Sequence, residues 1–90
     1  MLQTVSITVS GNVQGVFFRK YTIAAALKFG INGFVKNTSY GNVYIEATGT
    51  ENAIKEFIQW CHAGSPWSTV EKVVVIQLLF VPMEDFVIRY

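Results

Sequence analysis

Residues 4–19 read TVSITVSGNVQGVFFR, a strand pattern that passes through a glycine-bearing loop into the start of a helix. Apolar β-branched residues alternate with Thr and Ser over residues 4–10, and this period of two predicts a strand with one buried face. Two glycines and an asparagine then mark a loop. From Phe18 onward the apolar residues recur at helical spacing, and Gly30 is a favourable helix stop. The chain therefore begins with a strand, a loop and a helix.

The remaining sequence adds a second helix and further strands. The predicted elements are strands at 33–38 and 43–48 around a turn at 40–42, a helix from an N-cap at Thr50 to Cys61 or His62, a strand at 70–80 that Pro82 ends, and a candidate short fifth strand at 86–90. The near-continuous apolar run from Val73 predicts that the fourth strand is buried on both faces or forms a packed edge. The order β-α-β-β-α-β is typical of an α+β, ferredoxin-like split βαβ fold, with two helices on one face of an antiparallel sheet.

Length and composition favour one small globular domain. The chain has 90 residues, which predicts a single domain over residues 1–90. Hydrophobic residue types make up 51% of the sequence and charged types 14%, which excludes intrinsic disorder. The net charge of +1 argues against a nucleic-acid binder held mainly by phosphate-backbone electrostatics.

Cysteine content and hydropathy predict the compartment. Cys61 is the only cysteine, so no internal disulfide can form, which fits a reducing cytosol. The N-terminus lacks the basic and apolar regions of a signal peptide. The most apolar stretch, residues 70–83, is too short and too polar for a membrane span of about 20 residues. We therefore expect a cytoplasmic monomer without a membrane partner, although the fourth strand would be a candidate dimerisation or aggregation surface if it lay at a sheet edge.

The helix predicted at Phe18 has no ordinary N-cap. No Ser, Thr, Asp or Asn lies between Val13 and Arg19, so the first backbone N–H groups need another partner. An anion would supply one, because a helix N-terminus carries a partial positive charge. Arg19 in the first turn fits a phosphate held between its guanidinium and these amides. The alternative is a solvent-capped helix with a surface arginine, and the Gly-Lys-Ser/Thr ending of a nucleotide-binding P-loop is absent.

A second polar candidate, Asn37, ends the second predicted strand. The split βαβ topology can bring this strand end close to the loop that follows the first strand. A carboxamide offers both a donor and an acceptor, so Asn37 could hold a water molecule beside a bound phosphate. The alternative is that Asn37 bonds within its own turn.

These two segments resemble the signatures of the acylphosphatase family. The first signature, Gly-x-Val-Gln-Gly-Val-x-Phe-Arg, is met by residues 11–19. The second, Gly-aromatic-Val-Lys-Asn followed by Gly-x-Val and a later Gly, is met within residues 33–49. The resemblance implies a ferredoxin-like fold and an enzyme that hydrolyses acyl phosphates to a carboxylate and inorganic phosphate.

The resemblance also implies roles for individual residues. It assigns a phosphate cradle to consecutive backbone N–H groups, those of Gly15, Val16, Phe17, Phe18 and Arg19. The Arg19 side chain would complete this cradle, and Asn37 would position the attacking water. In related proteins the terminal carboxylate approaches the active-site arginine, which here would bring the Tyr90 carboxylate to Arg19.

The chemistry of an acyl phosphate explains why so few side chains would suffice. Its leaving group is a carboxylate whose conjugate acid has a pKa near 4, in the range of Asp and Glu, so departure needs no general acid. Phosphoryl transfer depends mostly on positioning and charge stabilisation. The six acidic residues are scattered along the sequence, so we expect no bound metal and no cofactor. The proton of the attacking water would pass to a phosphate oxygen of the substrate.

The other reactive or aromatic residues are weaker candidates. His62 lies on a different element from the cradle, so a role as general base is not expected. Cys61 falls on the apolar helix face and is expected to be a small buried hydrophobe. Trp60 and Trp67 flank a loop and fit either core or surface. Phe17 would line an acyl pocket or pack against the protein.

Two other functions remain compatible with this topology. An RNA-binding module of the RRM type would need stacking aromatics in an RNP pattern and an excess of basic residues, and both Glu46 and the net charge of +1 oppose it. A domain that only binds an acyl or carbamoyl phosphate for a partner enzyme is the other. We therefore expect acyl phosphate and inorganic phosphate as ligands, without nucleic acid.

Overall fold

A computed structural model describes residues 1–90 and contains two helices and five strands. In chain order these elements are β1 (Leu2–Asn12), α1 (Phe18–Phe29), β2 (Asn32–Asn37), β3 (Val43–Thr50), α2 (Glu51–Ala63), β4 (Thr69–Leu78) and β5 (Phe86–Ile88). The predicted order of elements and the candidate fifth strand are confirmed. The main difference in bounds is β1, which continues through two residues predicted to be loop.

The five strands form one sheet in the order β4-β1-β3-β2-β5. The pairs β4–β1, β1–β3 and β3–β2 are antiparallel, whereas β5 lies parallel to β2. The predicted antiparallel arrangement is confirmed for β1 to β4, and the candidate fifth strand, for which no direction is predicted, joins the sheet in a parallel pair. The physical reason is the route of the chain. It leaves β4 beside the start of β1, crosses β1, β3 and β2, and then runs along β5 in the same direction as β2.

The segment that crosses the sheet is held by a row of polar side chains on β1, β3 and β2. The backbone N–H of Val81 donates to Thr4 Oγ1 at 2.9 Å, and Thr48 Oγ1 donates to the Val81 carbonyl at 2.9 Å. Asn32 Nδ2 donates to the Met83 carbonyl at 2.8 Å. Because these bonds fix the backbone before β5, they set where the C-terminal residues lie.

The core lies between the sheet and the helices. In the β1–β3 register, Ile7 pairs with Ile45 and Val9 with Val43, and all four are fully buried, as period-two alternation requires. The helix α2 begins at a Thr50 cap, whose Oγ1 accepts a hydrogen bond from the backbone N–H at the third helical residue. Neither helix is both long enough and apolar enough to cross a membrane.

The outer strand β4 is more exposed than its sequence indicates. Ile76 keeps 55% of its surface accessible, and Val74 and Val75 are also exposed. The prediction that this strand is buried on both faces or forms a packed edge is wrong, because β4 is the terminal strand of the sheet and no element covers its outer side.

Strand directions bring three strand ends to one edge of the sheet. Since β1 and β2 are both antiparallel to β3, they run in the same direction, and β5 is parallel to β2. The C-terminal ends of β1, β2 and β5 therefore share one edge. This edge carries the loop before α1, Asn37 and the C-terminal Tyr90.

Candidate active site

The loop that leads into α1 starts at a β-bulge. The register between β1 and β4 shifts between Ser10 and Gly11, and Gly11 has a φ of 128°. A Cβ at this position would overlap the backbone carbonyl oxygen of Thr69, so only glycine fits without a shift of the backbone. Bulges bend a strand and redirect the chain, and this one directs the end of β1 towards the start of α1.

The backbone of residues 15–19, here called the cradle, turns through two left-handed conformations. Gly15 has a φ of 73°, and Phe17 has φ 60° and ψ 22°. A non-glycine residue in this region costs on the order of 1–3 kcal/mol and is held there only by its surroundings. Turns that include left-handed residues point successive N–H groups into a concave surface that favours anions.

The N–H groups of the cradle lack protein acceptors. Those of Gly15, Val16 and Phe17 donate to no backbone or side-chain oxygen, and Phe17, which occupies the N-cap position, makes no side-chain cap. The bond of Tyr21 N–H to the Phe17 carbonyl, at 3.1 Å, begins the hydrogen-bonded ladder of α1. The predicted uncapped helix start is therefore present, and its donors are available to an anion.

A cavity of about 280 Å³ opens beside the cradle. It brings together Arg19 from α1 and Asn37 from β2, which lie 18 positions apart in the sequence. The side chain of Val16 packs against the core, so only its backbone belongs to the cradle. The full lining is Val13, Gly15, Phe17, Phe18, Arg19, Lys20, Asn37 and Ile88.

The Arg19 side chain is free of acidic partners. Its guanidinium carbon lies 5.2 Å from the centroid of the Tyr90 ring, a cation–π distance. The ion pair of this structure is Lys55–Glu51 at 3.5 Å, and the terminal carboxylate does not pair with Arg19. The ring of Tyr90, rather than the expected carboxylate, therefore contacts the guanidinium and leaves its N–H groups available.

Asn37 lies at the end of β2, opposite Val43 of β3. Its carboxamide makes no hydrogen bond to the protein, so the alternative in which Asn37 bonds its own turn is not observed. The turn is closed instead by Thr38, whose N–H donates to the Asn42 carbonyl at 2.9 Å. The half-buried carboxamide of Asn37 is thus free to bind a ligand or water in the cavity.

Gln14 connects the cradle loop to the turn after Asn37. Its Nε2 donates to the Thr38 carbonyl and to the Asn42 carbonyl, each at 2.8 Å. Sequence reasoning matched Gln14 to the family signature without giving it a role. The structure shows that this one side chain joins the loop before α1 to the turn that follows Asn37.

Replacing Gln14 with leucine should separate this loop from this turn. We expect turnover to fall by about 10- to 100-fold, because small misplacements of reacting groups are costly. Loss of two hydrogen bonds should also lower the free energy of unfolding by about 1–3 kcal/mol. Activity assays and urea denaturation measure the two effects. Gln59→Leu, on the exposed side of α2, is the matched control, and equal behaviour of the two variants would contradict the role of Gln14.

The loop between α2 and β4 supports the cradle from the side. Ser65, which is buried, donates from its Oγ to the Val16 carbonyl at 3.4 Å, and Ser68 Oγ donates to the Ser65 carbonyl at 2.8 Å. The Trp67 ring packs against Phe17 with its centroid 6.2 Å away. Sequence reasoning missed this support, because no local pattern links the loop to residues about 50 positions earlier.

The remaining candidates lie outside the cavity. His62 is exposed, and Trp60 packs on Phe18 with ring centroids 5.4 Å apart. Burial raises the pKa of the Cys61 thiol to about 12, which disfavours the thiolate that a nucleophilic role would need. The prediction that Cys61 is a buried hydrophobe is confirmed. No group of three or more His, Cys, Asp or Glu side chains with metal-binding geometry occurs.

Known proteins resemble this chain in both sequence and structure. The acylphosphatase family model matches residues 5–88. An acylphosphatase from Archaeoglobus fulgidus is 43% identical over 84 residues, which are 93% of this chain and 94% of that protein. The crystal structure of acylphosphatase from Bacillus subtilis matches with a TM-score of 0.94 and 38% identity over 100% of both chains. An acylphosphatase from Coxiella burnetii matches with a TM-score of 0.94 and 34% identity over 98% of this chain and 93% of that one.

Proposed function

Because the chain belongs to the acylphosphatase family and is a hydrolase of acyl phosphates, we propose that the cradle, Arg19 and Asn37 together carry out this hydrolysis without a metal ion. The observation that supports the proposal is their meeting at one cavity, where the N–H groups of the cradle, the guanidinium of Arg19 and the carboxamide of Asn37 all lack competing partners. A single domain over residues 1–90 would hold all of these groups.

The phosphate group binds to the cradle in this proposal. The backbone N–H groups of Gly15, Val16, Phe17, Phe18 and Arg19 donate to its oxygens. The Arg19 guanidinium donates two further hydrogen bonds, for which its planar fork is suited. Negative charge spreads over the equatorial oxygens as the bond to the leaving group loosens, and fixed donors stabilise it without reorganisation.

Asn37 orients the attacking water. Its carboxamide oxygen accepts a hydrogen bond from the water. This holds the water in line with the bond that breaks, which removes much of the entropic cost of the encounter. Asparagine is a poor base, so the water's proton passes to a phosphate oxygen.

The leaving group needs no help from an acid. Water oxygen forms a bond to phosphorus, the bond between phosphorus and the acyl oxygen breaks, and the electron pair leaves with the carboxylate. The products are a carboxylate and inorganic phosphate. A carboxylate leaves unprotonated at neutral pH, because the pKa of its acid is near 4. This accounts for a cavity whose titratable side chains are Arg19 and Lys20.

The expected ligands are small molecules. We infer that the protein acts in the cytoplasm as a monomer on free acyl phosphate, without nucleic acid or a membrane surface. The near-neutral charge of +1 supports the absence of a nucleic-acid partner, and the lone buried thiol of Cys61 suits a reducing compartment. Sedimentation or size-exclusion chromatography tests whether the protein is a monomer. The exposed edge strand β4 is the surface through which copies of the chain would associate.

Hydrolysis of benzoyl phosphate in the presence of EDTA tests the proposed function. Ultraviolet absorbance follows the loss of substrate, and we expect the same rate with EDTA, without it, and with added Mg²⁺. Inorganic phosphate should inhibit competitively, because it occupies the cradle. A rate that collapses in EDTA and returns with Mg²⁺ would contradict the metal-free mechanism. Phosphate binding by a folded protein without turnover would instead indicate a domain that only binds acyl phosphates for a partner enzyme.

A further inference from the structure

Phe17 and Trp67 form an exposed aromatic pair beside the cradle. Each residue keeps 64% of its surface accessible. Their ring centroids lie 6.2 Å apart at an interplanar angle of 61°, an edge-to-face arrangement. The two rings are therefore fixed relative to one another while both stay open to solvent.

The position of Phe17 relates this pair to the reaction. The backbone of Phe17 belongs to the cradle, and Phe17 is one of the residues that line the cavity with Arg19 and Asn37. An acyl group begins one bridging oxygen away from the phosphorus. With phosphate held by the cradle, the acyl group therefore lies within reach of the Phe17 ring, whereas Arg19 and Lys20 provide the charge in the cavity.

Trp67 is held in place by the loop that carries it. Ser65 is buried and bonded to the Val16 carbonyl, and Ser68 bonds back to the Ser65 carbonyl. The backbone N–H of Ser68 also donates to the Ser65 carbonyl at 3.1 Å, which closes a turn around residues 65–68. A ring that is exposed yet anchored loses little conformational freedom when it binds a ligand.

We propose that Phe17 and Trp67 form an acyl subsite that favours aromatic and other planar apolar acyl groups over short aliphatic ones. The inference rests on the proposed function, since it assumes that phosphate occupies the cradle. Edge-to-face contact with a further aromatic ring would improve binding of an aryl acyl phosphate by about 3- to 10-fold. A short aliphatic acyl group would reach Phe17 and leave Trp67 unused.

The test compares benzoyl phosphate with acetyl phosphate in the wild type and in Trp67→Ala. We expect the variant to raise KM for benzoyl phosphate by about 3- to 10-fold with kcat unchanged. Its kinetics with acetyl phosphate should stay within about twofold of wild type. Trp67→Phe should restore most of the preference, because it keeps an aromatic ring on the anchored loop.

Phe80→Ala is the matched control for loss of an exposed ring. Phe80 is 50% exposed and lies near Gly30, at the opposite end of α1 from the cradle. It should change neither substrate's KM. Equal losses on both substrates in Trp67→Ala would show that Trp67 only supports the cradle, and no change on either would show that no acyl subsite exists. Failure of the proposed function is distinct from both, because Arg19→Ala would then keep its turnover of both substrates.

Discussion

Replacing Arg19 with alanine is expected to abolish phosphate binding together with turnover. Arginine side chains that stabilise phosphoryl transfer are worth about 10³–10⁵ in kcat, and the loss here should fall in that range. Arg19 is the one arginine that lines the cavity, and no acidic side chain forms an ion pair with its guanidinium. Steady-state kinetics with benzoyl phosphate measure the turnover, and competitive inhibition by inorganic phosphate measures the binding.

Arg89→Ala is the matched control for this result. Arg89 is the other arginine of the chain, and its guanidinium carbon lies 4.0 Å from the Phe34 ring centroid, away from the cavity. Its removal should leave kcat and the inhibition constant for phosphate near wild type. Arg19→Lys should fall between the two, because lysine keeps the charge but lacks the planar fork. Normal phosphate inhibition of Arg19→Ala would overturn the proposed binding role.

A thermal unfolding measurement shows whether Arg19→Ala loses activity because it loses its guanidinium or because it unfolds. Arg19 forms no ion pair with the protein, and its guanidinium contacts the ring of Tyr90, a residue that is almost fully exposed. We therefore expect the thermal midpoint of Arg19→Ala to stay close to that of wild type, since exposed contacts contribute little to stability. A large drop in the midpoint would mean that lost activity reflects unfolding.

Local patterns were enough to predict most of the fold. The alternation over β1 and β3 and the helical spacing after Phe18 are properties of neighbouring residues, and they correspond to the observed elements. The N-cap at Thr50 was identified in the same way and is confirmed by its hydrogen bond. Such signals are local because backbone geometry repeats within a few residues.

The arrangement of β4 and β5 depended on information that the sequence pattern does not contain. The apolar run of β4 is what a strand buried on both faces would also show, and only the strand order reveals that its outer side is open. The parallel pairing of β5 follows from the hydrogen bonds of Thr4, Thr48 and Asn32 to the crossing segment. These residues lie up to about 80 positions from their partners, so no local pattern predicts them.

In the candidate site, too, some features follow from local sequence and others depend on contacts between distant segments. Arg19 and Asn37 were identified from the sequence because each belongs to a continuous signature, and the structure brings both to one cavity. The linking role of Gln14 and the support from Ser65 were not predicted, because each bond joins segments distant in sequence. The family resemblance implies a contact of the Tyr90 carboxylate with Arg19, whereas the structure shows the Tyr90 ring in contact with the guanidinium.

Replacing Asn37 with alanine is expected to separate catalysis from binding. The change should lower kcat by about 10²–10³, comparable to the removal of one preorganised hydrogen-bonding group from an active site. The inhibition constant for inorganic phosphate should change by no more than about twofold, because the cradle and Arg19 remain. The carboxamide of Asn37 makes no hydrogen bond to the protein, so the fold should tolerate its loss.

Two further variants test whether Asn37 acts in catalysis rather than in phosphate binding. Asn52→Ala removes an exposed asparagine from α2 and should leave both constants unchanged. Asn37→Asp keeps the size of the side chain but adds a negative charge beside the phosphate, so it should weaken phosphate binding where Asn37→Ala does not. Equal losses of kcat and phosphate affinity in Asn37→Ala would contradict a role in water positioning. If Asn37→Ala loses kcat alone, whereas Arg19→Ala loses both kcat and phosphate affinity, the two roles lie at different strand ends. The attacking water is then held at the end of β2, and the phosphate is held by the loop that follows β1.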